Sequence, residues 1–473
     1  MRATNFAKAI IRLLTLLLPV IAVAQPTTIP HRKQPYIVDS TAHDGATELA
    51  AKERVAFRQT VQVPDAAWLQ LHFGEWNLGE QSYLTIISLK DNHQQRFNGK
   101  SLALWGGSSA YFNGNAVEVV LHVAAGEKGI FIRIQEVTVG ERPAQRRQAA
   151  ASPETICGTT DDRVASNDPR TGRIVPVGCT GWIVANGAYL TAGHCNTPGM
   201  TTLQFNVPAS NADGTINNPP PQDQYPIIAG SINAIDGGQG NDWAVFNCNI
   251  NANTGLLPTQ VQSAFFRMTR DSDPAAVRIT GYGLDGPAPN FGAVGGPRNA
   301  DSQTQQTHAG ANLGETVVGA SNVRFNYQAD SQGGNSGSPI IIEGTTLTIG
   351  IHTHGGCIAT GGSNSGTSFE NDDLETALQT FPGISVQYAD QGHPVSIKDG
   401  SIFRPHDTVT NAVTSALPGG IVSIVTGVYN EPITITKALT LTAPVGTVTI
   451  GAAPAGPITL PTVEIAVPSK LKF

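Results

Sequence analysis

The sequence predicts an all-β protein built from several domains, and three observations lead there. At 473 residues the chain has room for roughly two to four domains, each large enough to bury its own core. It carries 51 Gly and 31 Pro, the residues that punctuate turns and interrupt helices. Its apolar residues fall in short Val/Ile/Thr-rich runs, with little of the 3.6-residue periodicity of amphipathic helices.

Taken in order, residues 1 to 24 open with Arg2, Lys8 and Arg12, continue as an apolar run from Leu13 to Val23, and end Ala22-Val-Ala24 before Gln25. That is the pattern of a secretory signal peptide, too short to span a bilayer. No later segment approaches about 18 uninterrupted apolar residues, so the mature protein is expected to be exported, with no membrane anchor. Residues 25 to about 44 are polar and contain proline, which reads as a tether. From Thr47 to Gly140 (taken as a domain over 45–140) apolar and polar residues alternate in runs such as Trp68 to Phe73, Tyr83 to Leu89, Ala116 to Val123 and Gly129 to Val139. Such runs predict a compact antiparallel β-sandwich. Trp105 and Tyr111 read as core aromatics beside tight turns; loops that touch a surface or carbohydrate are the alternative. Residues 141–154 carry Arg142, Arg146 and Arg147 and few apolar side chains. They predict an exposed linker whose cleavage near Arg146-Arg147 would release the sandwich as a propeptide.

The net charge of −7 is mild, and no basic stripe stands out, which argues against nucleic acid as a partner. Five cysteines leave one unpaired in an exported chain. None of them has the spacing of a zinc site, and His352-Thr-His354 lacks two further ligands at a recognisable interval, so no metal or other cofactor is expected.

Residues 155–388 hold the chemistry. Asp330 to Pro339 reads Asp-Ser-Gln-Gly-Gly-Asn-Ser-Gly-Ser-Pro, with Ser336 as the candidate nucleophile. A serine hydroxyl needs a base, and the attacked carbonyl needs donors for the charge it develops. Gly333, Gly334 and Gly337 permit a sharp turn, so the amides of Gly334 and Ser336 can form an oxyanion hole. The bland alternative is a plain turn.

The candidate base is His194. It follows Cys179 to Thr191, which reads as a hairpin: two β-rich runs, Trp182 to Val184 and Tyr189 to Thr191, around Asn186-Gly187, with Cys179 and Cys195 at the ends where a disulfide can join them. Asp242 opens the apolar run Asp-Trp-Ala-Val-Phe246; a buried carboxylate there would accept the histidine ring N–H and fix its tautomer. The loops at 206–225, with Pro219-Pro-Pro221, and 281–297, rich in Gly and Pro, read as surface loops bordering a cleft.

His194, Asp242 and Ser336, in that order, with Thr191-Ala-Gly-His-Cys195, resemble the chymotrypsin-fold serine endopeptidases. Gly334-Asn-Ser-Gly-Ser-Pro339 with Ile349-Gly-Ile-His-Thr-His-Gly-Gly356 looks most like their glutamyl endopeptidase branch, with the lysyl endopeptidases close by. The resemblance covers 155 to about 388. It implies two six-stranded antiparallel barrels with the triad at their seam, and protein or peptide substrates. It also implies a disulfide Cys157 to Cys357, as in the lysyl branch, leaving Cys248 a buried free thiol; Cys157 to Cys248 stays open as the alternative. Asn335 stands where the digestive enzymes have an Asp that pairs with a newly cut N-terminus, so that route of activation is not expected.

For specificity the resemblance points two ways. Asp330 matches the carboxylate at the base of trypsin's pocket, with Gly355 and Gly366 keeping the pocket open, which favours Arg or Lys. His352 matches the histidine with which the glutamyl enzymes meet a substrate carboxylate, with Ser331 nearby, which favours Glu. The two signs agree if Asp330 points away or pairs with His352.

Residues 399–473 change character again. A short helical stretch to Ala416 precedes alternating residues from Ile433 to Leu441, expected as half-buried strands. The segment resembles the opening of a right-handed β-helix of the pectin-lyase-like kind, but one or two coils cannot bury their own ends. It is therefore read as a small β-appendage, without the carboxylate pair a polysaccharide-cleaving site needs. The opposing functional class is a catalytically silent protease-like module for binding or adhesion.

Overall fold

The computed structural model describes residues 28–47, 53–143, 155–196, 199–270, 273–293, 296–318, 322–380, 386–451 and 470–472. The signal-peptide region and Arg146-Arg147 lie outside these residues.

The all-β expectation holds: strands dominate, and the longest of the short α-helices is Asp372–Thr380. Residues 31–140 form two four-stranded antiparallel sheets. One orders the strands His31–Asp39, Phe131–Gly140, Trp68–Asn77 and Phe112–Asn113. The other orders Arg54–Gln62, Ala116–Val123, Tyr83–Ser88 and Gln94–Phe97. Their inner faces share a core that includes Leu69, Leu71, Leu84, Ile86, Val119, Leu121 and Ile132. The alternation seen in the sequence is what lets each strand bury one face.

The segment expected as a tether is instead a strand. His31–Asp39 pairs with the last strand of the sandwich from His31↔Gly140 to Asp39↔Arg133, with a register shift between Pro35 and Val38. Proline cannot donate to a ladder, and a polar, proline-bearing strand suits only a sheet edge. Those traits made it look like loop. Trp105 and Tyr111 are buried, so neither offers an aromatic face to a carbohydrate.

The strands from Val164–Ala165 to Asn364–Ser368 form the expected double barrel. Its first sheet has seven strands, ordered Gln224–Pro226, Thr202–Gln204, Thr171–Val175, Cys179–Ile183, Tyr189–Thr191, Asp242–Phe246 and Asn233–Asp236. The second has eight and is built around Ala276–Gly281, Gln306–Val318, Pro339–Ile342 and Leu347–His354. Short edge strands account for the excess over six. The loop at 206–225 is only partly the surface loop expected: Asn206, Pro208 and Asn211 are exposed, while Ile216, Asn218 and Gln224 are buried.

Beyond the double barrel, pairing becomes parallel. Val386–Ala389, Ile421–Ile424 and Thr440–Thr442 form one three-stranded sheet, and Gly427–Tyr429, Thr447–Ile450 and Lys470–Lys472 another. Burial alternates mildly from Ile433, but only Thr440–Thr442 of the expected strand pairs with a neighbour. This region packs on the double barrel. Tyr388, Ile402 and Phe403 share a core with Trp182 and Phe369, and Arg267 forks onto Asp390 at 2.6 and 3.0 Å. No helix among the described residues is long and apolar enough to cross a membrane.

Candidate active site

Trp182 pairs with Leu190 and Ile183 with Tyr189, on either side of a turn in which Gly187 has φ 82° and the Asn186 side chain accepts the Ala188 amide at 3.0 Å. Positive φ is what the Asn-Gly pair supplies. A disulfide joins Cys179 to Cys195, which fixes the short 3-10 turn Gly193–Asn196 carrying His194. Gly193 is required there, since a Cβ would sit 1.9 Å from the Ile235 carbonyl oxygen.

The neighbouring strand Asp242–Phe246 brings Asp242 to the same corner. Asp242 is fully buried. Its Oδ1 accepts the His194 amide at 2.9 Å and its Oδ2 accepts the ring Nδ1–H at 2.6 Å. The Asp242 amide in turn donates to Thr367 Oγ1 at 3.0 Å, and that hydroxyl donates back to the Asp242 carbonyl at 2.9 Å. A ring held this way presents Nε2 as a lone pair able to take a proton. His194 Nε2 is buried and makes no hydrogen bond among the described residues.

Ser336 sits at the centre of the third element. Its carbonyl accepts the Thr180 amide at 2.9 Å and lies 3.8 Å from Cys195 Sγ. Gly337 donates to the His352 carbonyl at 2.8 Å and accepts from Trp182 Nε1 at 3.1 Å. The turn of the candidate nucleophile is thereby pinned to the hairpin that carries His194. Gly334 and Gly337 have φ 102° and 89°, values that L side chains rarely adopt. The Asn335 amide closes the turn onto Gln332 at 2.9 Å, while the amides of Gly334 and Ser336 bond to no other described group. These two free donors face no internal competitor for an oxyanion.

Asp330 and His352 sit in separate environments. Asp330 is fully buried, and its carboxylate accepts the amides of Cys157 at 2.7 Å and Asp162 at 2.9 Å, with His308 Nδ1 3.4 Å away. Burial pushes its pKa above the usual carboxylate value despite these bonds. It does not pair with His352, whose Nδ1 instead meets the Tyr327 hydroxyl. Burial, with His354 and His194 nearby, lowers the His352 pKa to about 3. Gly366 lies beside His352 across the sheet, and Gly355 follows the end of the His352 strand. Ser331 is buried, its hydroxyl making no hydrogen bond among the described residues.

Two residues, Tyr327 and Arg163, escaped the sequence reading, and a third, His354, was weighed there only as a metal ligand. His354, two along the strand from His352 across a register shift, has its ring 6.4 Å from that of His194. Tyr327 was hidden because a buried Tyr in a strand looks like core. Arg163 has its side chain 1% exposed, forks onto Asp161 at 2.9 and 2.6 Å, and lies 3.7 Å from Asp285. A Cβ on Gly283 would fall 2.5 Å from Arg163 Nη1 and 2.1 Å from Asn335 Oδ1, so the guanidinium and Asn335 abut at that glycine.

The second disulfide joins Cys157 to Cys357, and Cys248 is a buried free thiol.

Residues 163–369 match the sequence model of the Trypsin family. No curated protein matches it. Among solved structures it is similar to the thermostable serine protease AL20 from an extremophilic microorganism, at 14% identity over 44% of this chain and 98% of that one, TM-score 0.31. The protease Anisep from Arthrobacter nicotinovorans gives 18% identity over 44% and 93%, TM-score 0.31. A scabies mite inactivated protease paralogue, S-I1, gives 14% over 46% and 96%, TM-score 0.31.

Proposed function

We propose that this protein is an exported serine endopeptidase that works through His194, Asp242 and Ser336. Support comes above all from one carboxylate, Asp242, accepting both the amide and the ring N–H of His194 at 2.9 and 2.6 Å, which leaves Nε2 as the base. Ser336 Oγ attacks the scissile carbonyl carbon while His194 Nε2 takes the hydroxyl proton. The amides of Gly334 and Ser336 donate to the oxyanion. His194 then gives its proton to the leaving amine, and water resolves the acyl-enzyme by the same route. Export agrees with two disulfides and with the signal-like opening of the chain.

For the primary pocket we favour an acidic substrate residue. The Asp330 carboxylate is already spent on two backbone amides, so an incoming Arg or Lys would find no free anion. With the Tyr327 hydroxyl donating to His352 Nδ1, the neutral ring carries its proton on Nε2, a donor for a substrate carboxylate. Residues 399–473 are read as short parallel β-coils seated on the protease domain, similar to the opening of a pectin-lyase-like helix and without catalysis of their own.

The test is cleavage of a mixed peptide library beside Ser336→Ala, with cut sites read by mass spectrometry. Cuts after Glu support the full proposal, and cuts after Arg or Lys overturn the pocket assignment. No cuts at all would turn the assignment to a binding module.

A further inference from the structure

The seam between the sandwich and the first barrel has the build of a permanent interface. Three amide side chains cross it, each making two bonds to a backbone on the far side, in the manner of a strand partner. Gln224 of the barrel accepts the Tyr111 amide at 2.9 Å and donates to the Tyr111 carbonyl at 3.0 Å. Asn113 of the sandwich accepts the Asn218 amide at 2.8 Å and donates to the Asn218 carbonyl at 2.9 Å. Asn253 of the barrel accepts the Arg96 amide at 2.8 Å and donates to the Gln94 carbonyl at 2.8 Å. Asn249 adds a bond to the Leu104 carbonyl at 2.8 Å, and the Ile29 amide one to Pro176 at 3.1 Å.

Between these clamps lies an apolar centre. Ile29, Trp68 and Tyr111 of the sandwich pack with Val175 and Ile216 of the barrel, all buried, with the Trp68 and Tyr111 rings edge to face at 5.1 Å. Buried aromatics ringed by paired polar groups are the composition of a high-affinity interface.

The clamps are also tied into the barrel itself. Arg173 is wholly buried and donates to Gln204 Oε1 at 2.8 and 3.1 Å and to the carbonyls of Gln303 and Asn217 at 2.9 Å. Gln204 in turn donates to Asn218 Oδ1 at 3.0 Å and Gln224 Oε1 at 3.2 Å. Burial lowers the Arg173 pKa to about 10, still charged at neutral pH. A polar chain thus runs from a buried cation to the two side chains and backbones that grip the sandwich. Pulling the sandwich away would open that chain and uncover Trp68 and Tyr111 together, and networks of this kind are costly when half satisfied.

We infer that residues 28–143 act as a docked subunit of the mature protein and not as a releasable propeptide: a cut in 144–154 yields a two-chain protein whose parts stay together. The contacts named sit on the Thr171–Val175, Thr202–Gln204 and Gln224–Pro226 side of the first sheet and its adjoining loops, and none includes His194, Asp242, Ser336 or His352.

The test uses the full chain as Ser336→Ala, with the recognition sequence of a specific protease placed within residues 144–154. After cutting, size-exclusion chromatography with light scattering at micromolar concentration should give one species with the mass of the uncut chain. Two separate species would overturn the inference. The same cut in Ile216→Glu combined with Asn253→Asp, which puts a charge into the apolar centre and removes one clamp's donor, should give two species. Circular dichroism of the uncut variant, unchanged from the parent, shows that folding survives. Co-elution of the cut variant would overturn the assignment of this seam as what holds the parts. Because Ser336→Ala is used throughout, neither outcome depends on the protein being a peptidase.

Discussion

His194 and Asp242 are joined twice, backbone amide to Oδ1 at 2.9 Å and ring Nδ1–H to Oδ2 at 2.6 Å. One carboxylate thus sets both where the histidine starts and how its ring turns. Asp242→Asn keeps the shape but can offer its NH2 to Nδ1, favouring the tautomer with the proton on Nε2. Peptide hydrolysis by this variant should fall by about 10⁴ in kcat. Ser336→Ala should cost several orders of magnitude in kcat with an unchanged melting temperature, since the side chain makes no bond that holds the turn. Steady-state kinetics with calorimetry on the same preparations checks both.

Asp330 and His352 should separate in their effects. Asp330→Asn replaces an oxygen that accepts a buried amide with a donor facing it, so stability should drop by about 1–3 kcal/mol in urea unfolding, with cut-site preference unchanged. Tyr327→Phe removes the hydroxyl at His352 Nδ1 and frees the ring to swap tautomers. It should raise KM for a Glu-containing peptide more than it lowers kcat.

Acid should weaken the fold through its buried histidines. The His352 pKa is lowered to about 3 and that of His72 to about 4, in both cases chiefly by burial, against about 6.5 in an unfolded chain. Below about pH 6.5 the unfolded state therefore binds more protons. Above about pH 7 neither ring contributes, and as pH falls from 6.5 towards 4 each removes up to about 1.4 kcal/mol per pH unit. His72, held between Ser108 Oγ at 3.0 Å and Thr138 Oγ1 at 2.7 Å, is the easier to replace. Urea titrations at pH 5 and pH 7.5 should show a smaller difference for His72→Gln than for the parent.

Cys248 should be chemically silent in the folded protein. Burial pushes its thiol well above the ordinary cysteine value, and thiolate is the reactive form. A maleimide reagent should label the native protein negligibly and label one thiol per chain once it is unfolded without reductant.

The candidate triad was readable because its signals are local: Ser336 within a run of glycines, His194 after a cysteine-closed hairpin, Asp242 at the head of an apolar strand. The direction of Asp330 was not, because the amides it binds belong to Cys157 and Asp162, far back along the chain. The edge strand His31–Asp39 hid behind its polar residues and proline, which are the traits an edge requires. The amide clamps hid for a similar reason. Asn113, Asn218, Gln224 and Asn253 each look like loop residues until a backbone from elsewhere arrives to be paired.

The bracing of the nucleophile turn has a practical consequence. Asn335 accepts the Gln332 amide at 3.0 Å and abuts the Arg163 guanidinium across Gly283, while Asp330 holds the amides of Cys157 and Asp162. Among the described residues, the supports of that turn are internal side chains and backbone groups. Extra residues fused ahead of Thr155, or the whole sandwich left attached, therefore displace nothing the turn leans on. If the proposed function holds, variants carrying extra residues ahead of Thr155 should cut the same peptide at the same rate as the parent.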